Sequence, residues 1–584
     1  MGACLGAASK PVVLGQEGES HRVVKRLGER YSSSSSTDRK KTGKNAPTNE
    51  PQRMKTIFLP QSLCWRRLKW QALARSWSRV AWVLGAVWIF TGFLQAAESE
   101  SVARQVDAGR QSALTNSAAS VSPSKAANAP ARGGPSLLGA EHDSELPAPI
   151  LRLMQTLDLP AQSLSVVLRD VQSGLEPMHF HAQEERSPAS LIKLVTTQAA
   201  LDLLGPAFVW QTPVYVTGPI QGGVLQGSVY VRGSGDPKFN LEAATKMLQS
   251  LKAMGVQRIE GDWVIDKSLF DAPAKDPGAF DGEPFKPYNV GADAMLVNFN
   301  ALLLTFTPDA VLPVAHMRVQ PPLWGLRYPL TVPLSPGPCA DYRTMLMADF
   351  SRAMEIRMGG TYPKACGQQV WPMAPPSPQE FSVRALAGLW RDLGGEISGE
   401  FKLGSVPKGL MPLWSQDSPT LAEVIRDMNK YSNNVMAHQL YLSLSAYALQ
   451  KGSDVASAQI LRQWWKARFT APEPLTQEGS GLSRDDRMSA RAFTQLLQYA
   501  WESPYSAELI ASLPIAGIDG TLKRSHAAGV AHLKTGSLNG VLGVAGYVQG
   551  KNQHRYSLVV LINHPNAAKA RPLIDAWIEW AANR

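Results

Sequence analysis

Cysteine is scarce in this 584-residue chain: there are four, Cys4, Cys64, Cys339 and Cys366. The ten histidines are scattered, and no His-Glu-x-x-His string occurs. A metal centre is therefore not expected, and no cofactor is called for. Long apolar runs are missing as well. The run near the start, residues 80–94, has 15 residues, short for a bilayer core of about 30 Å. An excess of one charge is missing from most of the chain. The formal net charge is +11, but residues 1–97 alone hold 16 Lys/Arg against 5 Asp/Glu, leaving 43 of each sign for the rest. The basic character belongs to the leader, which argues against a nucleic-acid-binding body.

That leader has the pattern of an export signal. Arg66, Arg67, Lys69, Arg75 and Arg79 precede the apolar run, and Gln95-Ala96-Ala97 follow it. Residues 54–97 are therefore expected to be a signal peptide starting at Met54; the alternative is an uncleaved N-terminal anchor. Residues 1–53 read as a disordered extension or a mis-assigned start. Residues 98–145, rich in Ala, Ser and Pro, read as a disordered linker. Two cysteines go with the leader. Cys339 and Cys366 remain as an even pair that can form a disulfide in an oxidising compartment; two separate thiols are the alternative.

Periodic structure begins near Leu146. Residues 163–168 and 175–180 read as a strand pair about a Gln172-Ser173-Gly174 turn. Short β-rich runs at 214–216, 229–231 and 263–265 follow, separated by Gly/Pro/Asp turns. Helical spacing resumes at 378–393 and continues at 421–428 and 435–449. Residues 530–533, 541–548 and 556–562 read as three adjacent antiparallel strands, and 572–582 as an amphipathic helix. The pattern predicts one α+β domain at 146–210 and 378–584, split by a β-rich insertion at 211–377, itself divisible into 211–305 and a nested 306–377.

Three strings fit one active site: Ser190-Leu-Ile-Lys193, Ser432-Asn433-Asn434 and Lys534-Thr535-Gly536. Each pattern also has look-alikes, at Ser122–Lys125, Ser405–Lys408, Ser537–Asn539 and Lys41–Gly43. Context separates them. Ser122 lies in the Ala/Ser/Pro tract, Lys41 in a serine-rich stretch, and proline interrupts Ser405-Val-Pro-Lys408. Ser190 instead opens a run with helical spacing, Leu191, Leu194, Val195, Ala199 and Leu203, which places Lys193 one turn away on the same face. A serine cap with an incidental lysine would look the same in isolation. Ser432 falls in a polar break between two helical segments, and Lys534 on a late strand. Taken in order, the three strings supply a nucleophile with an adjacent base, a polar relay and a cationic clamp for a carboxylate. Backbone N–H groups of Ser190 and Ser537 would form the oxyanion hole. Lys193 must become neutral to accept a proton, and the charge of Lys534 is expected to help.

Further blocks carry a resemblance. Gly233-Ser-Gly-Asp-Pro237, Val264-Ile-Asp-Lys-Ser-Leu-Phe270, Asn429-Lys-Tyr-Ser-Asn-Asn434, Gly479-Ser-Gly-Leu-Ser-Arg484 and Leu513-Pro-Ile-Ala-Gly-Ile-Asp-Gly-Thr-Leu522 resemble those of class C low-molecular-mass penicillin-binding proteins, D-alanyl-D-alanine carboxypeptidase/endopeptidases of peptidase family S13. The resemblance spans Leu146 to Arg584. It implies a transpeptidase/β-lactamase-like domain with antiparallel sheet and helices, interrupted by a large insertion. It implies Ser190, Lys193 and Ser432 as catalytic groups, and Asn434, Lys534, Thr535 and Gly536 as substrate-binding groups. Asp281 would hold the diamino acid of the substrate; a turn-forming aspartate before Gly282 is the alternative. Implied partners are peptidoglycan stem peptides and β-lactams, in the periplasm, with peripheral membrane association where the leader stays attached. The rival readings are a serine β-lactamase and a non-catalytic peptidoglycan-binding scaffold. His438 departs from the family pattern, which usually has a glutamate there, and residues 1–53 have no counterpart.

Overall fold

The computed structural model describes residues 142–272, 275–375 and 378–584. The extension at 1–53, the leader at 54–97 and the linker up to residue 141 lie outside the described residues. The last linker residues already belong to the fold. Ser144 N–H donates to the His179 carbonyl at 2.9 Å, and His181 N–H to the Asp143 carboxylate at 2.8 Å.

Alternating apolar residues in the C-terminal region form three long strands, Ala531–Leu538, Val541–Gln549 and Arg555–Asn563, paired antiparallel as the sequence predicts. Leu164–Asp170 then pairs with Arg555–Asn563 along its whole length, and Met178–Phe180 adds outside it. The two ends of the folded chain thus close one five-stranded sheet, with Ala531–Leu538 at an edge. Both faces are covered. Val166, Leu168, Val560 and Ile562 pack with Trp577 and Ile578 of the helix Arg571–Ala582. Their neighbours Val167, Val559 and Leu561 pack with Leu194 and Phe493 of the helices Lys193–Leu204 and Ala490–Glu502. The period of two sends successive side chains to opposite cores, so the strands read as near-continuous apolar runs.

The insertion is β-rich as expected, but it ends later than residue 377. One five-stranded sheet joins Gln211–Val216, Val229–Arg232 and Trp263–Asp266 to Phe401–Leu403 and Trp414–Asp417. A second holds Leu302–Pro308, Val314–Gln320, Thr331–Ser335, Tyr362–Pro363 and Gln369–Met373. The helix Phe381–Asp392 buries Phe381, Leu386 and Trp390 in this inserted core. The boundary at 378 is therefore corrected to one after Asp417. Helical spacing reveals an apolar face but not which sheet receives it. The helix Leu241–Ala253 went unread; its marks were Asn240, which accepts from Ala243 N–H, and Glu242 in the first turn.

Cys339 and Cys366 are bonded to each other, 27 positions apart with Cα atoms separated by 4.7 Å. Closing a loop of this size destabilises the unfolded chain by about 3.5 kcal/mol. Replacing both cysteines by serine should lower the melting temperature by several degrees, read by calorimetry without reductant. An unchanged melting temperature would mean the link constrains nothing that matters.

Candidate active site

Ser190 does not cap a helix. It lies in a 3-10 turn, Ala189–Ile192, that runs directly into the α-helix Lys193–Leu204. Ala189 adopts a left-handed φ of +47°. Two glycines let other segments approach this turn. A Cβ on Gly536 would lie 2.6 Å from the Pro188 carbonyl oxygen, and one on Gly481 (φ +81°) would overlap the Ala189 carbonyl. The Lys-Thr-Gly strand and the 479–484 block are thereby pressed against the serine.

Lys193 is fully buried. Its Nζ donates to Ser190 Oγ at 2.9 Å, to Asn434 Oδ1 at 2.7 Å and to the Ser480 carbonyl. Three acceptors suit an ammonium. A neutral amine has one donor fewer and a lone pair. Two of the three partners, both carbonyl oxygens, can only accept. The Ser190 hydroxyl is the partner that can turn and donate into that lone pair. Burial pushes Lys193 down to about 7, against the pull of Glu478 and Asp486.

Ser432 closes the helix Leu421–Tyr431 in a left-handed conformation, φ +57°, and Asn433 caps the next helix, Asn434–Leu449, by accepting from Met436 N–H at 3.0 Å. The polar break read from sequence is thus two abutting helix termini. Lys534, also fully buried, donates to Ser432 Oγ and to the Thr535 carbonyl, both at 2.8 Å. Burial holds Lys534 well below its ordinary value, and the charge of Lys193 adds to this. The effect runs opposite to the expected one: Lys193 is lowered by its own desolvation, and its charge lowers Lys534. Thr535 Oγ1 lies 2.7 Å from Thr521 Oγ1.

Ser190, Ser432, Thr535 and Ser537 line one cavity of about 370 Å³, which continues past Thr521 to Lys523, Arg524 and Arg571. The three strings, over 340 positions apart at their extremes, meet in one place. Asp281 does not join them. It is exposed, its oxygens accept from Tyr288 Oη at 2.8 Å and Asn289 Nδ2 at 2.7 Å, and it does not line this cavity.

Residues 149–584 match the D-Ala-D-Ala carboxypeptidase 3 (S13) family. The chain belongs to that family. It is 24% identical over 397 residues to D-alanyl-D-alanine carboxypeptidase DacB of Haemophilus influenzae, covering 64% of this chain and 80% of that protein. It is 26% identical over 437 residues to a D-alanyl-D-alanine carboxypeptidase of Actinomadura sp. (strain R39), covering 70% and 79%. The fold is that of the crystal structure of penicillin binding protein 4 (dacB) from Haemophilus influenzae, with a TM-score of 0.61 and 21% identity over 74% of this chain and 98% of that one. This S13 protein thus has the expected α+β penicillin-binding fold with large inserted domains.

Several contributors to the S13 site were not singled out from sequence. Ser480 presents its carbonyl to Lys193, and Glu478 and Asp486 lie behind it. Thr521, Arg524 and Arg571 line the cavity. The blocks 479–484 and 513–522 were visible as family-like, but nothing in them marks a main-chain carbonyl as a partner. His438, where the family pattern is broken, bonds to Asp454 at 2.7 Å and does not line the cavity.

A buried lysine with a lowered folded value, about 7 against 10.5, binds fewer protons folded than unfolded between those limits. Its contribution to stability therefore rises with pH across that window. Compared with Lys193→Met, the parent protein should gain unfolding free energy between pH 7 and 10, measured by denaturant titration. A pH-independent difference would contradict the assignment.

Proposed function

We propose that this chain is a serine D-alanyl-D-alanine carboxypeptidase and endopeptidase of peptidoglycan stem peptides, with Ser190 as nucleophile. The relatives named above are D-alanyl-D-alanine carboxypeptidases. The observation that carries the mechanism is the Lys193 coordination: of its three partners, Ser190 alone can donate once the amine is neutral. Ser190 Oγ attacks the D-Ala-D-Ala carbonyl carbon while its proton passes to Lys193 Nζ. Backbone N–H groups of Ser190 and Ser537 receive the developing oxyanion. The tetrahedral carbon then expels the amine, which takes a proton through Ser432, and the C–N bond breaks. Water cleaves the resulting ester by the reverse proton path.

Lys534 keeps Ser432 Oγ as an acceptor at 2.8 Å, so the serine proton is free to point at the leaving nitrogen. Asn434 spends its oxygen on Lys193, and its amide N–H groups remain to donate to a substrate carbonyl. Thr535 receives the terminal carboxylate at the cavity wall, and that negative charge draws a proton onto Lys534 buried behind Ser432. A β-lactam presents a strained amide and a carboxylate in the same relation, and acylates Ser190. Location in the periplasm, through the 54–97 leader, follows from the same reading, since the substrate lies outside the cytoplasmic membrane.

Covalent labelling tests this directly. Ser190→Ala should take up no benzylpenicillin by intact mass, and the parent adduct should persist rather than turn over as in a β-lactamase. The acylation rate should fall as pH drops through about 7, where Lys193 takes a proton. A labelled Ser190→Ala protein would sink the reading.

Endopeptidase action has its own support. The cavity runs beyond the clamp residue Thr535 to Lys523, Arg524 and Arg571, with one carboxylate, Asp575, among them. That space suits a leaving group larger than D-alanine and carrying a further carboxylate. Arg524→Ala with Arg571→Ala should slow cleavage of cross-linked muropeptides about tenfold more than release of D-alanine, an amount typical of one or two charge-assisted contacts. Equal losses on both substrates would remove this support.

A further inference from the structure

Two acids outside the three strings, the partly buried Glu478 and the buried Asp486, act on Lys193 from the 475–487 loop. That loop is closed by paired bonds between Leu475 and Arg487, 3.0 Å in each direction. Its Ser480 carbonyl is the third acceptor of Lys193. Glu478 is held at both oxygens: Ser480 Oγ donates to Oε1, and Lys275 Nζ sits 2.6 Å from Oε2. Lys275 comes from the inserted region, 203 positions earlier. Asp486 is fully buried; Oδ1 accepts from Gln477 N–H at 3.1 Å, and Oδ2 has no hydrogen-bond partner among the described residues.

The charges around this cluster can be followed group by group. Lys193 feels Glu478 and Asp486, and it couples to Lys534. Glu478 feels His438 and Lys275; Asp486 feels Glu478, Lys193 and Asp485. Burial works to raise the Glu478 carboxyl, yet His438, Lys275 and Ser480 together hold it below its ordinary value. Burial and the neighbouring Glu478 push Asp486 up to about 7. Near neutrality the pair thus carries a full charge on Glu478, the acid that has a cation against it.

We propose that Lys275 and Glu478 are a positioning pair for the base: Glu478 fixes the Ser480 carbonyl against Lys193, and Lys275 offsets the negative charge that would otherwise hold Lys193 protonated. The inserted region thereby takes part in setting the strength of the base. This rests on Ser190 and Lys193 being nucleophile and base.

The signs of the two single variants are opposite, which separates this role from simple support. In an Asp486→Asn background, where no second acid can take up charge when Glu478 is neutralised, Glu478→Gln keeps an acceptor for Ser480 Oγ but removes the attraction for an ammonium, so Lys193 loses its proton more readily. Lys275→Met leaves Glu478 unbalanced, so Lys193 holds its proton more tightly. The pH dependence of the benzylpenicillin acylation rate reads both. In that background the half-maximal point should move by about 1 to lower pH in Glu478→Gln and by about 1 to higher pH in Lys275→Met. The double variant should return toward the parent, and Lys275→Arg should keep the parent profile. Complete acylation at high pH, seen by intact mass, shows that each variant is folded. Shifts in one direction, or rate losses with no shift, would overturn the proposal. Labelling of Ser190→Ala would instead overturn the underlying assignment, so the two failures are distinguishable.

Discussion

Two fully buried lysines, Lys193 and Lys534, lie at the seam where the 3-10 turn carrying Ser190 packs on the edge strand of the sheet. Removing an ammonium from water costs several kcal/mol even after relaxation. The fold tolerates this by surrounding each amine with oxygen acceptors and by letting its proton leave. Everything near the seam serves that arrangement. Ala189 takes a left-handed turn, Gly481 and Gly536 admit backbone where a side chain would collide, and Ser432 ends a helix in the left-handed region. The same desolvation that disfavours the charged amine lowers Lys193 to about 7, which suits it to the proposed role of base. Stability and chemistry are opposed at one atom.

The closing of the sheet explains why such a seam can exist. The strand Leu164–Asp170 is zipped along Arg555–Asn563 from the other end of the folded chain, so the turn carrying Ser190 is fixed against strands nearly four hundred positions away. Ser187 N–H donates to Asn563 Oδ1 at 2.8 Å, just before the turn. The insertion then leaves and re-enters without disturbing this sheet. It returns one cation, Lys275, to the acid behind the base. A long excursion of the chain is thus tied electrostatically to the site it interrupts.

Much of the site was legible. Ser-x-x-Lys at the head of a buried helical run, a Ser/Asn break between helices and a lysine on a late strand were readable because each depends on local spacing. The C-terminal strands were readable for the same reason, since alternation is a property of neighbours in sequence. For Asp281 a turn-forming aspartate and a ligand-holding one look alike in sequence; here its oxygens are engaged by Tyr288 and Asn289. The end of the insertion misled because the helix Phe381–Asp392 is amphipathic whichever core it serves. Ser480 escaped because its contribution is a main-chain carbonyl, which side-chain identity cannot announce.

Sequence by itself determined the family and the candidate reacting groups in their order, because the proposed nucleophile, base, relay and clamp each require a particular side chain. It also determined which segments alternate and which run in helical period. Only the tertiary structure decided how basic Lys193 is, because desolvation and the Coulomb field of Glu478 and Asp486 depend on what packs around the amine. It alone joined Cys339 to Cys366, pressed Gly481 and Gly536 against the serine turn, and set Lys275 on Glu478. These are relations between distant segments, and distance in space is not written in the spacing of residues along a chain.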